Sequence, residues 1–218
     1  MEKTLNDYTK LAYFQCLHGL PVTNKMDKET AKFIVKYYNI KNGAGFLGQM
    51  DVESANFKAG REDMRYSEKT LLKFSYYKKR PKEAKADAYQ QITIANKVYA
   101  DVNRTSKLGN TQPNDGWYFR GNGAIQLTGR FNHKSFENWL VAKKLVKPNE
   151  IMLNPDLVWQ KFYIESAVYF FEKNKLWGIM DNTKLSKAIN LGDPNSPHTP
   201  NHLKERGERT EYYRKLIA

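Results

Sequence analysis

The stretch "FLGQMDVESANFKAGREDMRYS", residues 46–67, predicts how the chain folds around two glutamates, Glu53 and Glu62. It begins with apolar residues at the three- and four-residue spacing of a helix face, and Glu53 lies three residues beyond Met50 on that same side. Gly60 then interrupts the pattern, which predicts a turn that brings Glu62 back on a returning segment. We therefore expect two carboxylates near the end of an apolar helix.

An ionised carboxylate on an apolar helix face is costly unless it is paired or faces a cleft. Such a setting favours the protonated form of Glu53, which is the form that a general acid needs. The competing interpretation is that Glu53 and Glu62 are surface carboxylates that pair with Lys58, Arg61 or Arg65. On these residues alone, surface pairing is the commoner arrangement for two glutamates.

Helical patterns dominate the remainder of the chain, including residues 4–18 and 28–38. Residues 101–129 are rich in Gly, Asn, Asp and Pro, which predicts a long loop with a short hairpin. No repeat, low-complexity tract or linker divides the sequence. We predict a mainly α fold in a single domain over 1–218, with a small loop or β-lobe flanking a substrate cleft.

Two longer runs predict individual helices. The run "RPKEAKADAYQQITIANKVYA" (80–100) predicts one helix of about five turns, with Pro81 in its first turn. The run "NPDLVWQKFYIESAVYFFEKN" (154–174) predicts one central core helix with Asn154 as its N-cap and Pro155 at its first position.

The charge balance restricts the choice of partner. The chain has 36 Lys and Arg against 23 Asp and Glu, a net charge of +13. A surplus of this size favours a polyanionic partner: nucleic acid, an anionic membrane or lipopolysaccharide surface, or an acidic wall polymer. A basic enzyme with no special partner is the alternative.

Covalent and membrane features are few. Cys16 is the single cysteine, so no intrachain disulfide can form, and its half-buried helical surroundings favour a core thiol over a nucleophile. No window approaches about 18 uncharged apolar residues, and the first residues do not resemble a secretory leader.

The segment "FRGNGAIQLTGRFNH" (119–133) is a second candidate site. Gly121 and Gly123 permit close approach of the backbone to other groups. A Gly-x-Gly without the longer phosphate-binding pattern does not support a nucleotide site. Three polar side chains follow at even spacing, so an extended strand would align them to bond sugar hydroxyls, acetamido groups or a water: Gln126, Thr128 and Asn132.

Other candidates are less specific. Asn190 ends an apolar helix, where a simple cap is the alternative to a binding role. Trp117 and Tyr118 lie on the long loop and suit either sugar stacking or loop packing. His198 and His202 have a metal-like spacing, but a proline lies between them and no third ligand is near, so we expect no metal site.

Five segments, taken in chain order, resemble the family 19 glycoside hydrolases, the chitinase-like superfamily. Within it the pattern is most similar to bacteriophage endolysins, lysozyme-like α-helical enzymes that cut peptidoglycan. The resemblance extends over about 28–215. The segments are "VESANF" (52–57), "EDMRYS" (62–67), "IANKVY" (94–99), "DGWYFRGNGAIQLTG" (115–129) and "AINLG" (188–192).

The resemblance implies roles for matching side chains. Glu53 matches the general acid, and Glu62 matches the general base that activates water. The carboxylates of an inverting pair stand roughly 6.5–9.5 Å apart to admit that water. Other counterparts are the water-positioning hydroxyl of Thr128, the sugar-contacting or base-orienting amides of Gln126, Asn132 and Asn190, and Arg209, which matches an arginine that pairs with the second carboxylate's network.

The resemblance further implies a phage endolysin that hydrolyses the β-1,4 bonds of peptidoglycan as a monomer, with no cofactor and no metal. Its expected partners are peptidoglycan and, through the basic charge, an anionic lipopolysaccharide or membrane surface, not nucleic acid. Residues 1–27 are too few for a separate wall-binding module. The protein is expected to wait in the host cytoplasm for release through a holin, or alternatively to travel in the virion.

Three alternatives remain open from the sequence. The first is a chitinase acting on N-acetylglucosamine polymers. The second is a lytic transglycosylase, which would use Glu53 alone. The third is a non-catalytic module that binds the wall or nucleic acid.

Overall fold

A computed structural model describes residues 4–218 and confirms the mainly α fold predicted from the sequence. Three short 3₁₀ turns, Leu5–Asp7, Asp101–Asn103 and Leu176–Gly178, accompany the α-helices of this part of the chain. These helices are α1 (Lys10–Leu17), α2 (Lys28–Tyr37), α3 (Gly43–Glu53), α4 (Glu68–Leu71), α5 (Pro81–Asp87), α6 (Gln91–Tyr99), α7 (Asp115–Tyr118), α8 (Arg130–Ala142), α9 (Glu150–Leu153), α10 (Leu157–Gln160), α11 (Tyr163–Lys173), α12 (Asn182–Leu191) and α13 (Leu203–Ile217).

The described chain divides into two compact units. The first contains residues 4–60, Gly123–Ile125 and Trp159–Ala218, and the second contains Arg61–Asn122 and Gln126–Val158. The single catalytic domain expected over 1–218 stays a prediction.

The first unit is organised around the contact of α3 with α13. Helix α3 begins at Asn42, whose side chain accepts a 3.0 Å hydrogen bond from the backbone N–H of Gly45. A Cβ added to Gly48 would lie 2.6–2.7 Å from atoms of Thr210 on α13. The absence of a side chain at Gly48 therefore lets the two helices approach closely, and Thr210 is buried at the contact.

Helix α11 forms much of the core of the first unit, as its apolar pattern predicts. Tyr163 and Phe171 are buried, and the ring of Phe171 meets that of Phe46 edge-on at 4.8 Å. The single helix expected from Asn154 is wrong, because the structure separates α10 from α11 and places Asn154 at the end of α9. The apolar pattern identified the buried face but not the helix boundaries.

The second unit contains its own hydrophobic cluster, in which Met64, Leu71 and Tyr77 are fully buried. Helix α7 lies against α6 at Gly116, where an added Cβ would lie 2.4 Å from the backbone oxygen of Ala95. This close approach explains why the loop motif contains glycine directly after Asp115.

The single helix expected over 80–100 is also wrong, because the chain breaks into α5 and α6 at Ala88–Gln90. Asp87 is buried at the end of α5 and accepts hydrogen bonds from the Tyr77 hydroxyl at 2.8 Å and from Lys97 at 2.7 Å. Bonding between Asp87 and Lys97 needs the chain to turn between them, and the local helical pattern does not show this tertiary contact.

The small loop or β-lobe that was predicted takes the form of a loop without a hairpin, since extended pairing within residues 4–218 is limited to two isolated bridges. Asn122 pairs with Arg61 and with Leu127. The carboxamide of Asn122 is fully buried and donates a 2.6 Å hydrogen bond to the backbone oxygen of Pro155. Loop 101–129 is therefore held by side-chain contacts rather than by a sheet. No helix in the described part of the chain is long and apolar enough to cross a membrane.

The carboxyl group of Glu165 is a buried titratable group on α11. Its Oε1 accepts a 2.8 Å hydrogen bond from Tyr38, whereas its Oε2 has no hydrogen-bond partner among the described residues. The residue is only 6% exposed, and burial raises the pKa of Glu165 from 4.5 to about 7. The folded chain therefore favours the protonated form of this side chain.

Replacement of Gly48 by Ala is expected to reduce the free energy of unfolding by about 1–3 kcal/mol, because the added methyl group overpacks the contact with Thr210. Gly207→Ala on α13 is a matched control, since the nearest atom to an added Cβ there is 3.8 Å away. That variant should be neutral or more stable. Urea unfolding measures both, and equal stability of the two variants would contradict the close contact.

Glu165→Gln is expected to change how stability depends on pH. Because the folded-state pKa of Glu165 is raised, its contribution is fully present below about pH 4.5 and is lost as pH rises towards about 7. The wild type should therefore lose stability relative to Glu165→Gln across this window. Urea unfolding of both proteins from pH 4 to pH 8 measures the difference, and parallel stability curves would exclude a raised pKa.

Candidate active site

Glu53 lies at the C-terminal end of α3 in the first unit, beside a buried arginine. Gln49 and Glu53 are four residues apart, so they lie on one helix face, and both contact Arg206 of α13. The Arg206 guanidinium forms an ion pair with the Glu53 carboxylate through Nη2 and donates a 2.6 Å hydrogen bond from Nη1 to Gln49. One side chain of α13 thus fixes two neighbouring side chains of α3.

The guanidinium of Arg206 is itself held firmly. Its Nε donates a 2.9 Å hydrogen bond to the backbone oxygen of Asn201, and the residue is 2% exposed. Gln49 is fixed in turn by donating hydrogen bonds to Ser186 at 2.9 Å and to Asn182 at 3.1 Å. Arg206 is therefore a preorganised positive charge rather than a mobile surface cation.

The setting of Glu53 differs from the apolar one expected from the sequence. Its side chain is 24% exposed and forms an ion pair with Arg206. The difference arises from tertiary structure. Helical periodicity shows that Glu53 lies on the same face of α3 as the apolar residues, but it does not show that α13 places an arginine against that face. The role of Glu53 as an acid stays a prediction.

Arg209 was expected to pair with the network of Glu62, and that pairing stays a prediction. Its guanidinium forms an ion pair with Asp51 of α3, which is 3% exposed. Tyr213 donates a 2.6 Å hydrogen bond to the same Asp51 oxygen, and hydrogen bonding to Asp51 raises the pKa of Arg209. Arg206 and Arg209 of α13 thus each bind a carboxylate of α3, since helix α13 packs along α3 in the first unit.

Glu62 belongs to the second unit, where Gly121 holds it through both backbone groups. The backbone N–H of Glu62 donates to the Gly121 oxygen at 2.8 Å, and the Gly121 N–H donates to the Glu62 carboxylate at 3.2 Å. A Cβ at Gly121 would lie 2.4 Å from Oε1 of Gln126 and 3.2 Å from Oε2 of Glu62. The expected close approach at Gly121 is confirmed. The side chains of Glu62 and Gln126 both lie against this glycine.

Two tyrosines complete the surroundings of the Glu62 carboxylate. The Tyr99 hydroxyl lies 2.8 Å from Oε1 and 2.7 Å from Oε2, and the Tyr66 hydroxyl donates to Oε1 at 3.3 Å. Burial, and then the charge of Glu62, raises the pKa of Tyr66 to about 12 and raises the pKa of Tyr99 further. Both hydroxyls therefore remain protonated donors that orient Glu62.

The loop also contains a buried arginine, Arg120. Arg120 donates hydrogen bonds to the backbone oxygens of Glu62 at 3.1 Å and Trp117 at 2.7 Å, and its guanidinium carbon lies 3.3 Å from the centre of the Trp117 ring. Burial lowers the pKa of Arg120 to about 10, so it stays charged at neutral pH. Trp117 thus has one face occupied by Arg120, whereas Tyr118 is 51% exposed.

The polar residues after Gly121 do not form the extended row that was expected. Gln126 lies in a turn with a positive φ of 52°, and Asn132 belongs to α8. Hydrogen bonds connect the three side chains through the backbone, because Thr128 donates to the Gln126 oxygen and Asn132 donates to the Thr128 oxygen, each at 2.8 Å. Their predicted roles towards sugar and water stay predictions.

Asn190 supports the segment that holds Arg206. Its Oδ1 accepts a 2.8 Å hydrogen bond from the backbone N–H of Asn201, whose carbonyl accepts from Arg206. His202 lies 3.1 Å from Glu205. Within residues 4–218 no cluster of three or more His, Cys, Asp or Glu side chains is arranged to hold a metal ion.

Sequence reasoning missed Arg206 and Tyr99. Arg206, Thr210 and Tyr213 lie at positions i, i+4 and i+7 of α13 and are all buried, so a charged residue on a buried helix face was the available signal. Tyr99 ends the quoted "IANKVY" segment but offers no polar pattern of its own. Its contact with Glu62 depends on the packing of the second unit.

Comparison with known proteins identifies the family to which the chain belongs. No protein-family model matches the chain. A curated protein of Haemophilus influenzae, described as a glycosyl hydrolase family 19 domain-containing protein, is 31% identical to it over 178 residues, which are 80% of this chain and 78% of that protein. The chain belongs to glycosyl hydrolase family 19. It is therefore a glycoside hydrolase directed at cell-wall or chitin-type polymers.

Arg206→Met is expected to lower the free energy of unfolding by about 3 kcal/mol, because it leaves the Glu53 carboxylate and the Gln49 oxygen without their donor. Adding Glu53→Gln to Arg206→Met should recover part of the loss, since the unpaired charge is then removed. Chemical denaturation of the single and double variants measures the coupling. Additive effects of the two changes would show that the ion pair does not contribute to folding.

Proposed function

We propose that the protein is a bacteriophage endolysin that hydrolyses the β-1,4 glycosidic bonds of bacterial peptidoglycan. The observation that carries the choice of peptidoglycan over chitin is the net charge of +13. Chitin is a neutral polymer, whereas the wall polymer carries carboxylates on its peptide substituents, so a basic enzyme gains long-range attraction only from the latter. Family membership supports the reaction class.

In the proposed mechanism Glu62 is the general base. A base must present a carboxylate oxygen in a fixed direction so that it can take a proton from the attacking water. Tyr99 and the Gly121 N–H supply fixed donors to Glu62, which supports this role. The Thr128 hydroxyl is proposed to position the water, while Gln126, Asn132 and Tyr118 are proposed to contact the sugars.

Glu53 is proposed as the general acid that protonates the leaving glycosidic oxygen. Arg206 forms an ion pair with this side chain and fixes its position. A bound glycan would exclude water from the carboxyl group and offer the glycosidic oxygen to which the proton is donated. Arg206 then stabilises the carboxylate that remains after proton transfer.

The proposed biological role is lysis of the bacterial host. The protein would be held in the host cytoplasm and gain access to the wall through a holin, or alternatively be carried in the virion. An anionic lipopolysaccharide or membrane surface would attract the basic protein during that passage.

Product analysis of digested peptidoglycan tests the proposal. The wild type should release products with reducing ends of inverted anomeric configuration, and Glu53→Gln and Glu62→Gln should each lower the rate by at least about 100-fold. Mass spectrometry and anomer-resolved NMR measure these outcomes. Glu208→Gln, which changes an exposed carboxylate on α13, is the matched control and should retain full activity.

Three results would contradict parts of the proposal. Anhydro sugar ends that persist in Glu62→Gln would indicate a transglycosylase. Cleavage of chitin oligomers without cleavage of peptidoglycan would indicate a chitinase. Wall binding without cleavage by the wild type would indicate a non-catalytic module.

A further inference from the structure

The second unit contains an open pocket of about 590 Å³ that the proposed catalytic residues do not line. Two chain segments form it, the stretch after α4 and the loop that follows the 3₁₀ turn Asp101–Asn103. Its lining includes Arg80 and Arg104, and none of the residues that line it is acidic. The pocket is large enough for a sugar or dipeptide group, and its charge favours an anionic one.

Arg104 supplies a fixed cation to this pocket. Its Nε and Nη1 donate 3.3 Å hydrogen bonds to the backbone oxygens of Ser106 and Val98, and its guanidinium carbon lies 5.8 Å from the centre of the Tyr99 ring. These contacts use two of the five N–H donors of the guanidinium. Donors therefore remain for a ligand, and the side chain is held in place without a carboxylate.

Arg80 supplies a second cation. Its Nη1 donates a 2.5 Å hydrogen bond to the backbone oxygen of Tyr76, and its guanidinium carbon lies 4.3 Å from the centre of the Tyr76 ring. The carboxylate nearest to it belongs to Glu83, at a long 3.6 Å. The other oxygen of Glu83 accepts from the Tyr76 hydroxyl at 2.8 Å and from Lys97 at 2.9 Å. Glu83 therefore only partly neutralises Arg80.

Neutral donors surround the two arginines. Ser75, Asn103, Thr105 and Ser106 line the same pocket, and the amide of Asn103 is fixed by donating a 2.9 Å hydrogen bond to the backbone oxygen of Lys97. Guanidinium groups with adjacent hydroxyls and amides are the groups that bind carboxylates in proteins, since a guanidinium can donate two parallel hydrogen bonds to one carboxylate.

We propose that this pocket binds a carboxylate-bearing peptide substituent of the glycan substrate. The inference rests on the proposed function, because it assigns a site to the group that distinguishes peptidoglycan from chitin. One side chain, Tyr99, connects the pocket to the proposed base. Arg104 lies over the ring of Tyr99, and the Tyr99 hydroxyl donates a hydrogen bond to the Glu62 carboxylate. A substituent held by Arg104 would therefore be anchored one side chain away from the proposed base.

Direct binding tests this inference without relying on catalysis. Calorimetry on the full chain would use N-acetylmuramoyl dipeptide as the carboxylate probe, its fully amidated form as the neutral probe, and inorganic phosphate as a competing anion. The wild type should bind the dipeptide, and Arg104→Gln and Arg80→Gln should each weaken binding by about tenfold. Lys147→Gln, an exposed cation elsewhere in the second unit, removes the same charge and should have no effect.

The outcomes separate the pocket from the proposed function. Dipeptide binding that depends on Arg104 and is lost on amidation supports the pocket even if peptidoglycan is not cleaved, in which case only the proposed function fails. Cleavage of peptidoglycan combined with dipeptide binding that is absent, or unchanged in both arginine variants, overturns the pocket alone. Tighter binding of phosphate than of the dipeptide also overturns it. Circular dichroism of each variant ensures that a lost signal reflects the pocket rather than unfolding.

A kinetic measurement gives a second readout. Arg104→Gln should raise KM for peptidoglycan about tenfold with little change in kcat, and should leave KM for a neutral glycol-chitin substrate unchanged. Equal increases in KM for both polymers would overturn the inference, because a carboxylate site cannot affect a substrate that lacks carboxylates.

Discussion

The close contact between α3 and α13 is the constraint on which the arrangement of the first unit depends. Gly48 has no side chain to separate the helices, and Thr210 lies directly against it. At this distance the charged side chains of α13 reach the polar side chains of α3, so that Arg206 pairs with Glu53 and Arg209 pairs with Asp51. Further hydrogen bonds support both ion pairs: Arg206 also donates to Gln49 and to the Asn201 oxygen, and Tyr213 donates to Asp51, whereas Nε of Arg209 has no partner among the described residues.

The second unit fixes its own carboxylate by a different means. Glu62 is bonded by neutral donors, namely two tyrosine hydroxyls and a backbone N–H, while Arg120 contacts its backbone oxygen. Neutral donors thus orient the Glu62 carboxylate, whereas the Glu53 carboxylate is held by an ion pair with Arg206. The two candidate residues therefore have environments of different chemistry.

The loop motif of residues 115–129 shows which features of a site can be predicted from a local sequence pattern and which cannot. Gly116 and Gly121 both permit close contacts, as the sequence suggested for Gly121, and Glu62 and Gln126 meet at Gly121. The extended row expected after this loop does not form, because Gln126 lies in a left-handed turn. Even spacing aligns side chains only in a strand, and spacing alone does not show whether a strand is present.

The sequence by itself determined the mainly α class, the core face of α11, the charge surplus and the two glutamates, because helical periodicity and composition are local properties. The resemblance of ordered motifs indicated the family, which the relative then confirmed. Tertiary structure alone decided the partners: Arg206 for Glu53, Asp51 for Arg209, and Tyr99 for Glu62. Each of these pairs joins residues far apart in the chain, and the energy that selects them arises only when separate helices pack together.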